Sequence, residues 1–138
     1  MIDDPLPSFP AELLTAEVGT IAGTARQYSI TIKLLPFHDG EETINETLRI
    51  DKLPLLAERI EELPGRQWAF PSNPQPGYVE TSIYMWTVHN PIEVESIRFG
   101  KIENGYIEAE LQTRFVFEYE GGHSNLNKTF TLPLKIES

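Results

Sequence analysis

The fold class is decided most clearly by residues 105–119, which have the sequence GYIEAELQTRFVFEY. Along this stretch apolar or small residues alternate with charged or polar ones, which is the period of a β-strand that buries one face. The two faces are Ile107, Ala109, Leu111, Thr113, Phe115, Phe117 and Tyr119 on one side, and Glu108, Glu110, Gln112, Arg114, Val116, Glu118 and Glu120 on the other. The stretch therefore predicts a long strand with an apolar inner face and a mostly acidic outer face.

Strand patterns continue on both sides of this stretch. Residues 94–102 lead into the dipeptide Asn104-Gly105, which is among the strongest short signals for a β-hairpin, and residues 130–136 alternate again after a glycine-rich turn. Residues 78–88 carry bulky side chains on both faces, so we expect that strand to be covered on both sides. Residues 78–136 are therefore predicted to form a set of antiparallel strands.

The size of the chain limits the shape of this sheet. As one straight strand at about 3.3 Å per residue, residues 105–119 would span roughly 50 Å. A compact chain of 138 residues has a radius of gyration of only about 14 Å. We therefore expect the strand to coil, bend or contain a β-bulge, which gives a curved sheet.

The N-terminal half adds shorter strands. Residues 1–11 contain Pro5, Pro7 and Pro10 and are expected to form an extended N-terminal arm. Residues 14–22 show a weak alternation, and residues 28–50 resemble a hairpin with a turn near its middle. These segments are predicted to extend the sheet.

Residues 53–63 have a different period. Leu53, Leu56, Ile60 and Leu63 fall at helical spacing, Asp51 is a plausible N-cap, and a Pro-Gly pair follows the segment. This segment is the one predicted α-helix. The predicted fold is therefore α+β and mostly β: a curved antiparallel sheet or open sandwich packed around a single helix at 53–63, in one domain covering residues 1–138.

Composition narrows the classes of partner. The chain has 21 acidic and 11 basic residues, a formal charge of -10, which disfavours nucleic acid and anionic membrane surfaces as partners. It contains no cysteine, and its N-terminus carries acids where a signal peptide needs basic and apolar residues. We therefore expect a cytoplasmic protein whose acidic surface serves solubility or meets a basic partner protein.

The sequence offers no recognisable catalytic arrangement. It has no nucleophile elbow, phosphate-binding loop or dinucleotide fingerprint, which favours a non-enzymatic protein without a cofactor. His38, His89 and His123 each lie beside a predicted turn and could meet at one end of the sheet, but their spacing is not that of metal ligands. No metal site is predicted.

Two groups of residues are candidate binding sites. Tyr84, Trp86, His89 and Asn90 combine aromatic and polar groups at a strand end and are candidates for a ligand pocket, although core packing explains the aromatic residues equally well. The outer face of the long strand is the candidate for partner binding, with a simple solvated face as the alternative. Its candidate residues are Glu108, Glu110, Arg114, Glu118 and Glu120.

At residues 77–84, 89–91 and 97–100 the chain resembles small bacterial proteins of unknown function, and it is broadly similar to the small acidic immunity proteins that neutralise bacterial toxins. The resemblance covers residues 65–120 and transfers no functional residue. With the charge it implies a non-enzymatic binding protein that occludes a basic partner. The alternatives are a small-molecule-binding or catalytic domain with its pocket in the curved sheet, and a homo-oligomeric structural module.

Overall fold

The computed structural model describes residues 6–24, 27–119 and 121–137. Strands hold 56% of the residues and short 3-10 turns 5%, so the protein is nearly all β. Within the described residues the strands are β1 (Gly19–Thr24), β2 (Gln27–Lys33), β3 (Phe37–Asp39), β4 (Glu42–Ile44), β5 (Thr47–Leu53), β6 (Gln67–Ala69), β7 (Glu80–Met85), β8 (Val88–Glu103), β9 (Tyr106–Phe115) and β10 (Leu126–Ile136).

The strands form one large sheet in the order β5-β2-β1-β10-β9-β8, with both β7 and β6 pairing with β8, while β3 and β4 form a separate hairpin. The predicted antiparallel set at 78–136 is confirmed as β7 to β10, and β8 and β9 are joined at Asn104-Gly105. The pairing of β1 with β10 is parallel. The C-terminal strand thus joins the two halves of the sheet.

The sheet curves until its two ends almost meet, which gives a nearly closed barrel. Where β7 approaches β5, the Thr81 hydroxyl donates to the Arg49 carbonyl at 2.7 Å, and the Tyr84 N–H donates to Glu46 Oε1 at 3.1 Å. Side chains therefore bridge the seam where ladder hydrogen bonds would otherwise be needed. The predicted open sandwich is wrong, because curvature brings the edge strands together.

The curvature comes from β8, the longest strand, with 16 residues. Its register with β9 shifts twice, between Val94 and Ser96 and between Phe99 and Ile102. Such bulges bend a strand, and here they let the first part of β8 pair with β7 and the next part with β6. The bulge expected within residues 105–119 lies instead in the neighbouring strand β8. The strand expected at 105–119 pairs with β10 without a register shift and ends at Phe115 as β9.

The inward-facing residues form one continuous apolar core. On β9 the predicted alternation is confirmed, because Ile107, Leu111 and Phe115 are fully buried whereas Glu108 and Arg114 are exposed. The pattern ends beyond the strand, where Tyr119, assigned to the inner face, is exposed.

The predicted α-helix at 53–63 is absent: the structure has an extended segment followed by a 3-10 turn at Ile60–Glu62. Leu53 ends β5, and Leu55 and Ala57 are buried at every second position, whereas Leu56 is 56% exposed. The helical spacing was therefore coincidental. So short a helix is marginal without a packed face, and burial of alternate residues over the end of the barrel replaces it. The fold is accordingly not α+β, and the sheet is not packed around a helix.

The N-terminal arm follows the edge of β10 as far as the structure describes it. Ser124 N–H donates to the Pro7 carbonyl at 2.9 Å, and Lys128 Nζ donates to the Ala11 carbonyl at 3.1 Å. Between these contacts Phe9 inserts its buried ring among aromatic side chains at one end of the barrel. Residues 1–5 of the predicted arm lie outside the described residues.

Candidate functional site

The residues predicted to bind a partner lie along the outer face of β9. Glu108 and Arg114 are exposed and Glu110 is partly buried on the outward side of the strand, and Glu118 is exposed in the segment that follows it. Glu120 lies outside the described residues. Two depressions on the outer face of β8, β9 and β10 contain the other candidate residues, one towards each end of β9.

The first depression, the bulge hollow, arises where β8 bulges. Phe99 pairs with Ala109 and Ile102 with Ile107, so Gly100 and Lys101 together face Glu108 alone. Gly100 has no side chain to fill the space, and a Cβ placed there would lie 2.9 Å from the Cβ of Glu108. The hollow has a volume of about 590 Å³ and is lined mainly by Arg98, Gly100, Glu108, Glu110, Thr131 and Pro133.

The charged groups of the bulge hollow are arranged at its surface. Arg98 Nη2 lies 3.2 Å from Glu110 Oε2, an exposed ion pair of the kind that contributes little to stability. Among the described residues Glu108 makes no salt bridge, and its side chain lies against Gly100. The hollow therefore presents a carboxylate that a cationic group can pair with.

The second depression, the Arg114 groove, lies at the other end of β9. It has a volume of about 350 Å³ and runs between the loop before β7 and the segment that follows β9. Pro91 and Val116 form its apolar floor. The remaining lining residues are Ser72, Asn73, Pro74, Glu80, Glu93, Arg114, Glu118, Tyr119 and Asn125.

Hydrogen bonds hold the polar groups of the Arg114 groove in place. Glu93, whose side chain is 13% exposed, accepts the Asn73 backbone N–H at 2.9 Å and lies 3.9 Å from Arg114 Nη1. The Asn73 side-chain amide donates to Glu80 Oε2 at 3.1 Å. Asn125 Oδ1 accepts the backbone N–H of Glu118 at 3.1 Å. One asparagine thus joins two carboxylates, and a second fixes the segment after β9.

The two depressions together carry an excess of negative charge. Five carboxylates line them against two guanidinium groups, which leaves three negative charges in excess on one face. The carboxylates are Glu80, Glu93, Glu108, Glu110 and Glu118. A face of this sign attracts cationic groups and repels anions.

The residues predicted to form a ligand pocket lie on different surfaces. Tyr84 and His89 pair across the β7–β8 hairpin with ring centroids 4.9 Å apart, and Tyr84 is 44% exposed. Trp86 and Thr87 form the two-residue turn of that hairpin, both with positive φ. Asn90 is buried inside the barrel. The strand expected at 78–88 thus ends at Met85, and its outer face is open.

Trp86 packs in an aromatic cluster at the end of the barrel that holds the N-terminal arm. Its ring stacks on His123 at 4.5 Å with an interplanar angle of 8°, and its indole N–H donates to Asp39. Phe9 and Phe117 pack edge-on against the same ring. The contacts are those of a packed corner, which accounts for the left-handed backbone at Trp86.

The Asn90 side chain holds the β7–β8 turn in place through hydrogen bonds to its backbone. Its side-chain Nδ2 lies 3.3 Å from the carbonyl oxygens of Ile83, Met85 and Val88, all in or beside the hairpin. Among the described residues its Oδ1 has no hydrogen-bond partner. Trp86 and Asn90 therefore shape the β7–β8 turn: Trp86 is part of it, and the Asn90 amide contacts the carbonyl groups beside it.

The three histidines contact different groups. His38 Nδ1 lies 3.2 Å from the Thr43 hydroxyl, His89 packs on Tyr84, and the Nδ1 of His123 contacts the Gly121 carbonyl at 2.8 Å. Within residues 6–24, 27–119 and 121–137 there is no group of three or more His, Cys, Asp or Glu side chains placed to hold a metal ion. In the same residues no helix has the length and apolarity to cross a membrane.

Comparison of the chain with models of known protein families, with characterised proteins and with solved structures gave no match.

Most residues of the Arg114 groove were missed from the sequence, among them Glu80, Glu93 and Tyr119. Glu80 and Glu93 pair directly across the β7–β8 hairpin, a register that a two-residue turn at Trp86-Thr87 would have predicted. No propensity marks Trp-Thr as such a turn, since it ordinarily takes Asn-Gly. Tyr119 was assigned to the inner face, because the alternation was extended past the end of β9.

Proposed function

We propose that the protein is a non-enzymatic binding protein that holds a basic partner protein against the outer face of β8, β9 and β10. The observation that supports this is the net negative charge of two depressions on that face, five carboxylates against two guanidinium groups. Complementary charge speeds encounter and selects partners of the opposite sign. The resemblance to acidic immunity proteins points to a basic toxin domain as the class of partner.

The alternatives have less support from the geometry. Side chains that face into the barrel, such as Ile30, Phe99 and Phe115, are buried at 1% exposure or less, so a pocket in the sheet would have to compete with core packing. The hypothesis of a homo-oligomer rests on Val116 on the polar face of the predicted strand and on a possible sheet edge near Pro133. Val116 is only 7% exposed, in the lining of the Arg114 groove.

The proposal is tested with two charge-reversal variants of equal net charge. E108K/E110K reverses two carboxylates of the bulge hollow, and E58K/E61K reverses two exposed carboxylates on the segment between β5 and β6. Each protein is immobilised and exposed to a lysate of the source cells at low and at high salt, and retained proteins are identified by mass spectrometry.

The expected result is a basic protein that wild type and E58K/E61K both retain at low salt, and that E108K/E110K releases. High salt should release it from all three, because exposed charge pairs are screened. Equal loss in both variants would indicate general attraction to an acidic protein. Equal retention by all three would show that this face is not the binding surface.

A further inference from the structure

The Arg114 groove has the size and floor of a site for one long side chain. Its volume of about 350 Å³ is at the low end of the roughly 300–1,000 Å³ of small-ligand pockets. Pro91 and Val116 make the floor apolar, which suits the methylene stem of a basic side chain whose charged end stays near the surface.

The rim carries groups that recognise a cation. Tyr119 is 77% exposed, so the face of its ring is open to a cationic group. The backbone of the neighbouring Glu118 is fixed by Asn125, and its carboxylate is at the surface. Glu80 lines the groove from β7, across Glu93 from Arg114, with one carboxylate oxygen held by Asn73. The groove therefore combines an exposed aromatic ring, carboxylates and the apolar residues Pro91 and Val116.

Arg114 is the one positively charged residue among the described residues that line the groove, and it could attract an anionic ligand. Its guanidinium lies 3.9 Å from Glu93, which balances its charge, and the groove keeps two negative charges in excess. An anion entering the groove would meet Glu80 and Glu118, whereas a cation would meet one guanidinium that already has a partner. The sign of the site is therefore negative.

We propose that the Arg114 groove binds an arginine side chain of the basic partner, with its stem over Pro91 and Val116 and its guanidinium between Tyr119 and the carboxylates of Glu118 and Glu80. This inference rests on the proposed function. Arginine is favoured over lysine because a planar guanidinium stacks on an aromatic ring and donates in a fork to a carboxylate at the same time.

The probe is a blocked Gly-Arg-Gly tripeptide, titrated into the full chain labelled with ¹⁵N and followed by two-dimensional NMR. We expect concentration-dependent shifts of the backbone amides of Val116, Glu118 and Asn125. The same peptide with citrulline, which keeps the shape and lacks the charge, should cause no such shifts. A lysine peptide should bind more weakly. Equal shifts with citrulline, or no shifts at these amides with arginine, would overturn the proposal.

Variants test each part of the site. We expect Y119L to weaken binding of the arginine peptide about fivefold and E118Q about threefold, in the range of exposed cation–π contacts and ion pairs. Y106L is the matched control, because Tyr106 is a partly exposed tyrosine near the bulge hollow, and it should bind like wild type. Melting curves confirm that each variant is folded.

R114Q distinguishes the two kinds of ligand most clearly, because the substitution should strengthen binding of a cation and weaken binding of an anion. Removal of the guanidinium should strengthen binding of the arginine peptide two- to threefold. If R114Q abolishes binding, or if a blocked Gly-Asp-Gly peptide binds in place of the arginine peptide, the groove is an anion site and the proposal is wrong.

The inference and the proposed function can fail separately. If E108K/E110K releases the basic partner while Y119L and E118Q leave both partner and peptide binding unchanged, the acidic face binds the partner without an arginine in the groove. If the arginine peptide binds in the groove and no basic partner depends on Glu108 and Glu110, the groove recognises a cation and the proposed function is contradicted.

Discussion

Replacement of Asn90 by alanine should destabilise the fold strongly, because the residue is buried beside the hairpin turn at Trp86-Thr87. The side chain is 1% exposed, and its Nδ2 lies 3.3 Å from three carbonyl oxygens. An amide nitrogen carries two protons, so at most two full hydrogen bonds form at once, each worth about 1 kcal/mol. Truncation also leaves a cavity beneath the hairpin turn, which adds about 1 kcal/mol. The expected loss is about 3 kcal/mol, or about 10 °C in Tm.

Urea unfolding followed by tryptophan fluorescence measures this loss. N127A is the matched control, because Asn127 is exposed on β10, and it should change stability by less than about 0.5 kcal/mol. N90D keeps the size of the side chain but turns a carboxylate towards the carbonyl oxygens, so it should be at least as harmful at neutral pH and recover partly as the pH falls. The assigned role of the amide would be refuted if N90A lost less than about 1 kcal/mol of stability, or if N90D were as stable as wild type.

Three further changes have defined outcomes. T87G should raise stability by about 1 kcal/mol in urea, because Thr87 has a φ of 62°, which a β-branched residue adopts only under strain and glycine adopts freely. G121A should lower it by about 2 kcal/mol in the same assay, because the new Cβ would lie 2.7 Å from the ring of Trp86 in a packed cluster. Burial first, and then three nearby glutamates, raise the pKa of Tyr28 above its ordinary 10.0, so the unfolded chain loses the phenol proton before the folded one. Wild type should therefore lose more stability than Y28F as the pH rises above about 10, in unfolding curves measured at each pH.

The sequence predicts the sheet where side-chain alternation is long and one face is buried. In β9 each inward residue from Ile107 to Phe115 is buried, so the two-residue alternation correctly predicted which side chains face the core. The helix prediction at 53–63 was wrong because the spacing of its apolar residues fits both an α-helix and an extended segment. Contacts with residues distant in sequence select the extended form, and no local pattern reveals them. Tertiary burial decided that segment.

The candidate site was partly within reach of the sequence. Glu108, Glu110, Arg114 and Glu118 follow from the alternation and do share one face. The two depressions were not predictable, because one needs a bulge at Gly100 and the other brings together loops about 45 residues apart. Tyr84, Trp86, His89 and Asn90 were grouped as aromatic and polar residues at a strand end. The hairpin pairs Tyr84 with His89 on its exposed side, whereas Asn90 is buried.

Carboxyl footprinting of the protein with and without its partner shows which carboxylates the partner covers. A carbodiimide couples an amine to accessible carboxylates, and mass spectrometry reports the extent at each Asp and Glu. The acidic-face account predicts that the partner protects Glu108 and Glu118 and leaves Glu58 and Glu61 as reactive as in the free protein. Protection of Glu58 and Glu61, with Glu108 and Glu118 unchanged, would contradict it.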